Sequence, residues 1–403
     1  MIRVVCENCG AIYKVNQKEE KLFCSQCGTK LDYEREEREK KEKEAAIDLS
    51  KLFTHPSDKA ALDALKAIPG FSPLMRAFMS LWNEKQYRIM NMSSKLRLSE
   101  NQMPKYYNML PPICEKLGID VPELYIELDV NPNAYTSGDT TPFIVMTSGL
   151  LETLPDELIP TVLAHECGHI VCHHVLYSTM GKVLMNSASK FLGTAIGGLV
   201  TLPIQLAFAY WMRCSEFSAD RAAAICDGTS ERMIETCFRF AGYDKDIMTD
   251  GNIEAFLQQA EEYNELIRDS KWNKSLEFIL FNQINHPLNA VRASECKKWC
   301  EGEQYKNLLS FVDTRKNGIA TMTGSFRIPM PQPSKYYIGR NVKETTEMLS
   351  SLGFSDITIE KTTEKKKEKQ EDKVIKIEID GKDKFSKGTW FSSDASIRVV
   401  CYE

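Results

Sequence analysis

The spacing of apolar residues predicts helices over most of the chain. In SDKAALDALKAI, residues 57–68, apolar side chains recur at helical intervals, and the stretch ends at Pro69-Gly70, a pair that stops helices. The same period recurs further along, over residues 73–98, 100–117, 148–225 and 229–315. We therefore expect a long, mostly helical block in the centre of the chain.

Two short stretches follow the alternating pattern of β-strands. LYIELDV (124–130) alternates apolar and polar residues, and PFIVMTS (142–148) predicts a second strand. NPNAYTSGD (131–139) lies between them and has the residues of a turn. The predicted fold class is α+β and helix-dominated.

Changes in composition divide the chain into four regions. Residues 1–31 are rich in cysteine and turn residues, and residues 32–51 form a linker of mixed charge that favours a solvated helix. Residues 52–315 are the globular block. Residues 335–403 follow a helix–glycine–strand pattern with further strands, which predicts a small accessory α/β module.

The overall composition favours a globular protein in a reducing compartment. The chain has 403 residues, of which 43% are hydrophobic and 27% charged, and its net charge of −5 disfavours nucleic-acid binding. Its 13 cysteines are an odd number scattered through predicted helices, as expected where thiols stay reduced. MIRVVCENCG lacks the basic and apolar segments of a signal peptide, so we expect a cytoplasmic protein.

Two CxxC pairs near the start of the chain predict a structural zinc site. The cysteines are Cys6, Cys9, Cys24 and Cys27, and fourteen residues separate the two pairs. A CxxC turn presents two thiolates, and tetrahedral Zn²⁺ takes four. A glycine after each second cysteine lets the turn adopt a positive φ. The pattern resembles a zinc ribbon, whereas a redox CxxC is disfavoured because no thioredoxin-like βαβ pattern surrounds it.

A second candidate metal site lies in AHECGHIVCHH (164–174), which contains four of the chain's 6 histidines. His165-Glu166-x-x-His169 falls in a helical pattern, in which residues four apart share a face and lie about 6 Å apart. Both imidazoles can therefore reach one Zn²⁺. Glu166 is rotated by about 100° from His165, which sets its carboxylate beside the metal, where it can hold a water molecule.

The third protein ligand is not expected in this cluster. In the HExxHxxGxxH pattern the third histidine would stand where this chain has Val175. His173 lies about 12 Å along the helix from His165, too far for one metal to bind both. We therefore predict that His173 and His174 are surface or packing residues.

A glutamate on a later helix is the better candidate. WMRCSEFSADRAAAI (211–225) places Glu216 and Asp220 four residues apart, on one helix face. Glu216 can bind the metal. Asp220 can accept a hydrogen bond from a ligand histidine, which fixes the tautomer and orients the ring.

HECGH followed by SEFSAD resembles the HtpX-like zinc metallopeptidases, family 48 in the usual peptidase classification, which also includes the CAAX prenyl endopeptidases. The resemblance covers about residues 52–300 and includes HPLNAVR (286–292) and NPNAY (131–135). It implies a gluzincin-type core with a small edge sheet. Where these relatives have a pair of N-terminal membrane spans, this chain has the CxxC pairs.

The resemblance also implies roles for individual residues. Glu166 would act as the general base, and His286 and Arg292 would stabilise the oxyanion. An edge strand would bind extended peptide through main-chain hydrogen bonds. Its residues are Asn133, Ala134 and Tyr135.

An uncharged segment, residues 191–212, is long enough to cross a membrane. A single crossing would place His165 and Glu216 on opposite sides, which is incompatible with one shared metal. The Gly-Gly pair and Pro203 favour a helical hairpin, either buried in the core or inserted into the membrane surface. We expect a protein that is soluble or peripheral at the cytoplasmic face of the membrane.

Together these features predict a zinc endopeptidase with one catalytic and one structural zinc ion. Its substrates would be peptides, unfolded proteins or membrane proteins, and the HtpX-like relatives suggest protein quality control. One alternative is a proteolytically silent scaffold that recruits partners through the ribbon and the C-terminal module. Another is a zinc hydrolase that does not cleave peptides. The intact HExxH, with Glu216 and Asp220, favours the peptidase.

Overall fold

The structure, a computed structural model, describes most of the chain. The described residues are 2–5, 12–15, 23–28, 49–81, 84–138, 140–187, 202–244, 250–268, 288–317, 327–362 and 372–402. Three predicted site residues, Cys6, Cys9 and His286, lie outside them, as does the predicted boundary between ribbon and linker. The chain divides into two compact units, one formed by Leu49–Thr323 and the other by Met1–Asp48 with Gly324–Glu403.

Helices dominate the described residues. They are α1 (Ser50–Phe53), α2 (Pro56–Ala67), α3 (Phe71–Leu81), α4 (Glu84–Ser94), α5 (Pro104–Tyr107), α6 (Leu110–Leu117), α7 (Ser148–Thr153), α8 (Ile159–Val171), α9 (Val175–Ser187), α10 (Leu202–Asp227), α11 (Glu231–Phe240), α12 (Ile253–Arg268), α13 (Asn289–Glu301), α14 (Glu303–Asn317), α15 (Ser334–Tyr337) and α16 (Val342–Ser351). The prediction of a helix-dominated fold with small sheets is confirmed.

The strands form several small sheets. They are β1 (Ile2–Val5), β2 (Ile12–Val15), β3 (Leu96–Arg97), β4 (Glu123–Glu127), β5 (Ala134–Ser137), β6 (Phe143–Thr147), β7 (Arg327–Pro329), β8 (Ile357–Thr362), β9 (Val374–Ile379), β10 (Trp390–Ser392) and β11 (Ile397–Tyr402). β4 and β6 match the two strands that the alternating and apolar patterns predict. The short strands β7 and β10 were not predicted, because three residues are too few to show alternation.

Among the described residues, β5 is an edge strand in the sheet of the larger unit. Its order is β3-β4-β6-β5, with β4 parallel to β6 and β5 antiparallel to β6. All of β6 is buried, as expected of an inner strand covered on both faces. The turn predicted over residues 131–139 is wrong for Ala134–Ser137, where alternate side chains face the core and a strand forms.

Helices α8 and α10 pack closely, which brings the two candidate metal-binding segments together. All of α8 is buried except Pro160 and Ile170. A Cβ atom at Gly168 would lie 2.7 Å from Ala222 Cβ and 2.9 Å from Ala219 Cα. Gly168 and the small residues that face it therefore let the two backbones approach, because a larger side chain would hold them apart.

The uncharged segment 191–212 is described only from Leu202 onward, and residues 191–201 lie outside the described residues. Pro203 stands in the first turn of α10, where proline is tolerated, and the predicted hairpin stays a prediction. Ile204, Phe208 and Trp211 are buried in a core cluster with α2, α3 and α9. Within the described residues, no helix is both long and apolar enough to span a membrane.

The described residues of the second unit form three separate sheets. β1 and β2 form an antiparallel pair, β7 pairs with β10, and β11 lies between β8 and β9. The side chain of Asn341 caps α16 by accepting hydrogen bonds from two backbone N–H groups of its first turn. A core cluster joins α16 to β9, β10 and β11 through Leu349, Ile377, Phe391 and Val399.

Substitution Gly168→Ala should destabilise the larger unit. Helix propensity favours alanine by about 1 kcal/mol, but overpacking costs about 1–3 kcal/mol, and the obstructing Ala219 Cα is backbone that cannot rotate away. We expect a lower Tm in thermal unfolding. Gly181→Ala is the matched control, because the atoms nearest its new Cβ belong to the side chains of Met212 and Phe208, at 3.1 Å, and not to backbone. The packing account is wrong if Gly168→Ala is as stable as this control.

Candidate metal centre

Three side chains with metal-binding atoms meet between α8 and α10. The imidazoles of His165 and His169 lie on successive turns of α8, and the carboxylate of Glu216 comes from α10. One donor atom from each lies within 4.8 Å of the others. Both imidazole Nε2 atoms are 3.5 Å from a carboxylate oxygen of Glu216. The structure therefore brings together the three residues that the sequence analysis predicts as ligands.

This set of donor atoms fits zinc. Catalytic zinc is held by three protein ligands, and two histidines with one glutamate form a common set. Bonds of about 2.0–2.1 Å in tetrahedral geometry separate the ligand atoms by about 3.4 Å. The separations of 3.5 Å between each imidazole Nε2 and Glu216 are close to this value.

A buried ion pair holds the second ring nitrogen of His165. Its Nδ1 lies 2.9 Å from Asp220 Oδ1, and Arg292 donates to both oxygens of Asp220, at 2.6 and 2.9 Å. Burial raises the pKa of Asp220, but Arg292 outweighs it and lowers this pKa below its usual value. Burial lowers the pKa of His165, whereas Asp220 and Glu216 raise it to about 9. The carboxylates therefore favour a cation at this position.

Arg292 holds the carboxylates from the opposite side. Its side chain, on α13, is buried, and its Nη1 lies 3.4 Å from Glu216 Oε2 in addition to the two bonds to Asp220. Two carboxylates that surround one metal position are thus neutralised in part by one guanidinium. The oxyanion role predicted for Arg292 stays a prediction, since these contacts orient the carboxylates.

His174 is buried beside the second candidate ligand histidine, so of the predicted roles, surface or packing, it has the packing one, and it makes polar contacts as well. α8 ends after Val171, and His173 is exposed with a φ of 57°. The N–H groups of His173 and His174 bond back to the carbonyls of Ile170 and His169, which is the Schellman pattern. This turn folds His174 back into the core, where its Nδ1 lies 3.1 Å from His169 Nδ1.

Glu166 receives a hydrogen bond from the edge strand. Thr136 Oγ1 on β5 donates to Glu166 Oε2 at 2.6 Å, and both side chains are buried. A hydrogen bond to a carboxylate is worth about 1.5–3 kcal/mol, enough to hold the side chain in one rotamer. The sheet that would bind substrate therefore also positions the glutamate of the HExxH motif.

An open cleft of about 710 Å³ adjoins the centre. His165, Glu166 and Arg292 line it, together with Ala134 of β5 and with Asn131 and Asn133 of the loop before β5. Residues of α11 and the loop after it also line the cleft, namely Met233, Thr236, Arg239, Phe240 and Tyr243. One candidate metal ligand, His165, and the edge strand thus line the same cleft.

The predicted substrate strand has well-defined surroundings. The backbone of Asn133 bonds to Thr147 at the end of β6, and Ala134 and Tyr135 pair with β6 as part of β5. The Tyr135 hydroxyl donates to Glu127 Oε2 at 2.8 Å. These contacts fasten one side of β5 to the sheet and leave the strand at the sheet edge.

The described residues around Cys24 and Cys27 form a tight turn. Gly28 has a φ of 74°, and its N–H donates to the Cys24 carbonyl at 2.9 Å. The N–H of Gln26 points to Cys24 Sγ, 3.4 Å away. The positive φ expected of the glycine after Cys27 is present, which favours a tight turn around a thiolate.

Sequence reasoning missed two further residues near the centre. Thr136 gave no signal, because a threonine in a strand is ordinary. Asp58, whose Oδ2 lies 2.8 Å from His174 Nε2, stands 116 residues away in sequence and belongs to a helix read only for its apolar face. A search for a buried acid on that face would have found it, since its neighbours Ala61 and Leu65 are buried.

Comparison with known proteins identifies relatives that are metallopeptidases. The profile of Peptidase family M48 matches residues 114–300. The plastoglobule-localized metallopeptidase 48 of Arabidopsis thaliana is 31% identical over 264 residues, which are 64% of this chain and 74% of that protein. The protease HtpX homolog of Ralstonia nicotianae is 24% identical over 189 residues, 41% of this chain and 66% of that protein. A second HtpX homolog, from Tropheryma whipplei, is 35% identical over 111 residues, 27% of this chain and 38% of that protein. No solved structure matches the chain.

The helix-dominated fold and the candidate His-His-Glu centre are consistent with these metallopeptidase relatives. The chain belongs to peptidase family M48 and is HtpX-like, as its motifs predict. The family implies a metal, and the centre between α8 and α10 is the candidate for its position.

The buried Asp220–Arg292 pair should show strong coupling in a double-mutant cycle. Asp220→Leu and Arg292→Met each leave a buried charge without its partner, so each should lower the free energy of unfolding by about 3–5 kcal/mol. The double variant should lose clearly less than the sum. Urea unfolding at a fixed zinc concentration measures all three.

Arg232→Met serves as the control for this cycle. The Arg232 side chain is 51% exposed and lies 3.7 Å from Asp227, so its loss should change stability by no more than about 0.5 kcal/mol. Simple additivity of the Asp220 and Arg292 variants would contradict the coupling.

Proposed function

We propose that the chain is a zinc-dependent metalloendopeptidase in which His165, His169 and Glu216 hold the metal and Glu166 is the general base. The observation that carries the proposal is the meeting of these three ligands at one point, beside a cleft that His165 and Glu166 line together with the edge strand. Membership of a metallopeptidase family supports it.

Extended polypeptide is the substrate class that fits the cleft. A peptide that lies along β5 would extend the sheet by main-chain hydrogen bonds, which depend little on sequence. A folded substrate cannot present an extended strand, so the cleft favours peptides and unfolded proteins. Degradation of unfolded chains is therefore the cellular task that we infer, in line with the HtpX-like relatives.

Glu166 carries the proton transfers of the reaction. When bound, zinc supplies a Lewis acid that polarises the scissile carbonyl and acidifies a water molecule. Glu166 accepts the proton of the attacking water and passes it to the leaving amine. The hydroxyl of Thr136 holds the carboxylate of Glu166 in one orientation through its hydrogen bond to Oε2. His286 is proposed to stabilise the oxyanion.

Substitution Glu166→Gln should abolish hydrolysis while zinc stays bound. The amide cannot accept the proton, yet Glu166 is not among the proposed ligands, so the metal content should not change. Hydrolysis of an unfolded protein and zinc per chain are measured side by side. Glu157→Gln, an exposed glutamate just before α8, is the matched control and should retain activity. If Glu166→Gln and the wild type were equally active, another residue would be the general base. If neither were active, the chain would not be a peptidase.

We propose that a second zinc is held by Cys6, Cys9, Cys24 and Cys27. The turn around Cys24, with its left-handed glycine and an N–H directed at the sulfur, supports two of these ligands. The segment 1–31 is too short to bury much core, so the metal would supply much of its folding energy.

The zinc content should therefore be two per chain and fall to one in Cys24→Ser. Elemental analysis after gel filtration measures it. Hydrolytic activity should survive, because the proposed catalytic ligands all belong to the other unit, Leu49–Thr323. Cys300→Ser is the control and should keep both ions. A Cys24→Ser chain that retains two zinc ions would exclude the ribbon site.

A further inference from the structure

A buried acid–histidine pair lies directly behind the second ligand histidine. His174 Nδ1 is 3.1 Å from His169 Nδ1, and His174 Nε2 is 2.8 Å from Asp58 Oδ2. Asp58 is on α2, far in sequence from the HExxH helix, and it is only 1% exposed. His174 is 2% exposed. The proposed mechanism uses neither residue, and burial of both polar groups requires an explanation.

The partners of Asp58 fix it as an acceptor. Trp211 Nε1, which can only donate, bonds to Asp58 Oδ1 at 2.9 Å. Ser218 Oγ donates to Asp58 Oδ2 at 2.6 Å and itself accepts the backbone N–H of His55 at 2.9 Å. Burial raises the pKa of Asp58, but the hydrogen bonds from His174, Ser218 and Trp211 lower it below the usual value. Asp58 is therefore a carboxylate with acceptors only.

The acceptor role of Asp58 fixes the direction of the hydrogen bonds between Asp58 and His174 and between His174 and His169. Because Asp58 only accepts, His174 must carry a proton on Nε2. A neutral His174 then has its lone pair on Nδ1, so it accepts a hydrogen bond from the N–H at His169 Nδ1. With its proton on Nδ1, His169 has its lone pair on Nε2, the atom 3.5 Å from Glu216. One tautomer of each ring satisfies every contact.

We propose that Asp58 and His174 are positioning residues that lock His169 in the tautomer whose Nε2 can bind the metal. The inference rests on the proposed metal site. It makes the two ligand histidines unequal: His165 is oriented by Asp220 directly, whereas His169 is oriented by a carboxylate through a second imidazole. Helix α2 thereby becomes part of the metal centre although it contributes no ligand.

The hydrogen bonds that connect Asp58, His174 and His169 form a relay. Substitution Asp58→Asn tests its direction. Trp211 would hold the amide oxygen, so the NH₂ group would face His174 Nε2 and require that nitrogen to accept. His174 would then carry its proton on Nδ1 and force the proton of His169 onto Nε2, where the metal must bind. Loss of such outer contacts costs about 10–100-fold in metal affinity. We expect the dissociation constant for this zinc, measured by competition with a chromophoric chelator, to rise by that factor.

Two variants at His174 separate hydrogen bonding from packing. His174→Phe keeps a planar ring but removes both nitrogens, so it should weaken zinc binding as much as Asp58→Asn. His174→Gln can accept from His169 with its oxygen and donate to Asp58 with its nitrogen, so it should restore most of the affinity. Asp63→Asn, an exposed residue of the same helix, is the control and should leave zinc affinity unchanged.

A spectroscopic readout tests the tautomers themselves. The chain has only 6 histidines, so ¹⁵N-labelled imidazoles give a spectrum simple enough to assign by variants. In the zinc-loaded wild type, His174 should show a protonated Nε2 and an unprotonated Nδ1. Asp58→Asn should reverse this pattern.

The relay is wrong if Asp58→Asn and His174→Phe bind zinc as the wild type does, or if they lower only the thermal stability measured in chelator. It is also wrong if His174→Gln behaves like His174→Phe. The ion at this centre is recognised as the one that a Glu216→Ala chain lacks. Zinc bound by the wild type without hydrolysis would overturn the proposed peptidase function alone, and the relay would still be tested by the affinities.

Discussion

The close approach of α8 and α10 at Gly168 is the contact on which the metal centre depends. Two imidazoles from one helix and a carboxylate from another can share an ion only if the backbones lie close enough for short side chains to meet. A Cβ at Gly168 would lie 2.9 Å from the Cα of Ala219, so the space between the helices cannot hold even a methyl group at this position. The same spacing positions Asp220 to reach His165 from the next turn of α10.

Burial of so much charge between two helices requires compensation from other elements. α13 supplies Arg292 to the Glu216 and Asp220 carboxylates, and α2 supplies Asp58 to His174. An unpaired buried charge would cost several kcal/mol, so the surrounding helices must be in place before the centre is complete. The site is therefore preorganised by the helical core. In the proposed ribbon, by contrast, the metal would stabilise the fold, because the small core alone would not supply enough folding energy.

The sequence predicted best what lies within one element. The spacing of His165 and His169 on α8, and of Glu216 and Asp220 on α10, follows from helix geometry alone. The turn from α8 to His174 could not be read in the same way. A continuing helix would rotate His174 away from His169, but the helix ends at Val171 and a left-handed His173 reverses the chain. Asp58 and Thr136 reach the centre only through tertiary packing, which no local pattern encodes.

The identity of the ligand atoms is the central claim, and anomalous diffraction at the zinc edge from crystals of the zinc-loaded chain tests it most directly. The account predicts a peak within about 2.0–2.2 Å of His165 Nε2, His169 Nε2 and a carboxylate oxygen of Glu216. A peak that places the zinc ion at His169 Nδ1, or at His174 in place of His169, would contradict both the ligand set and the tautomers on which it depends.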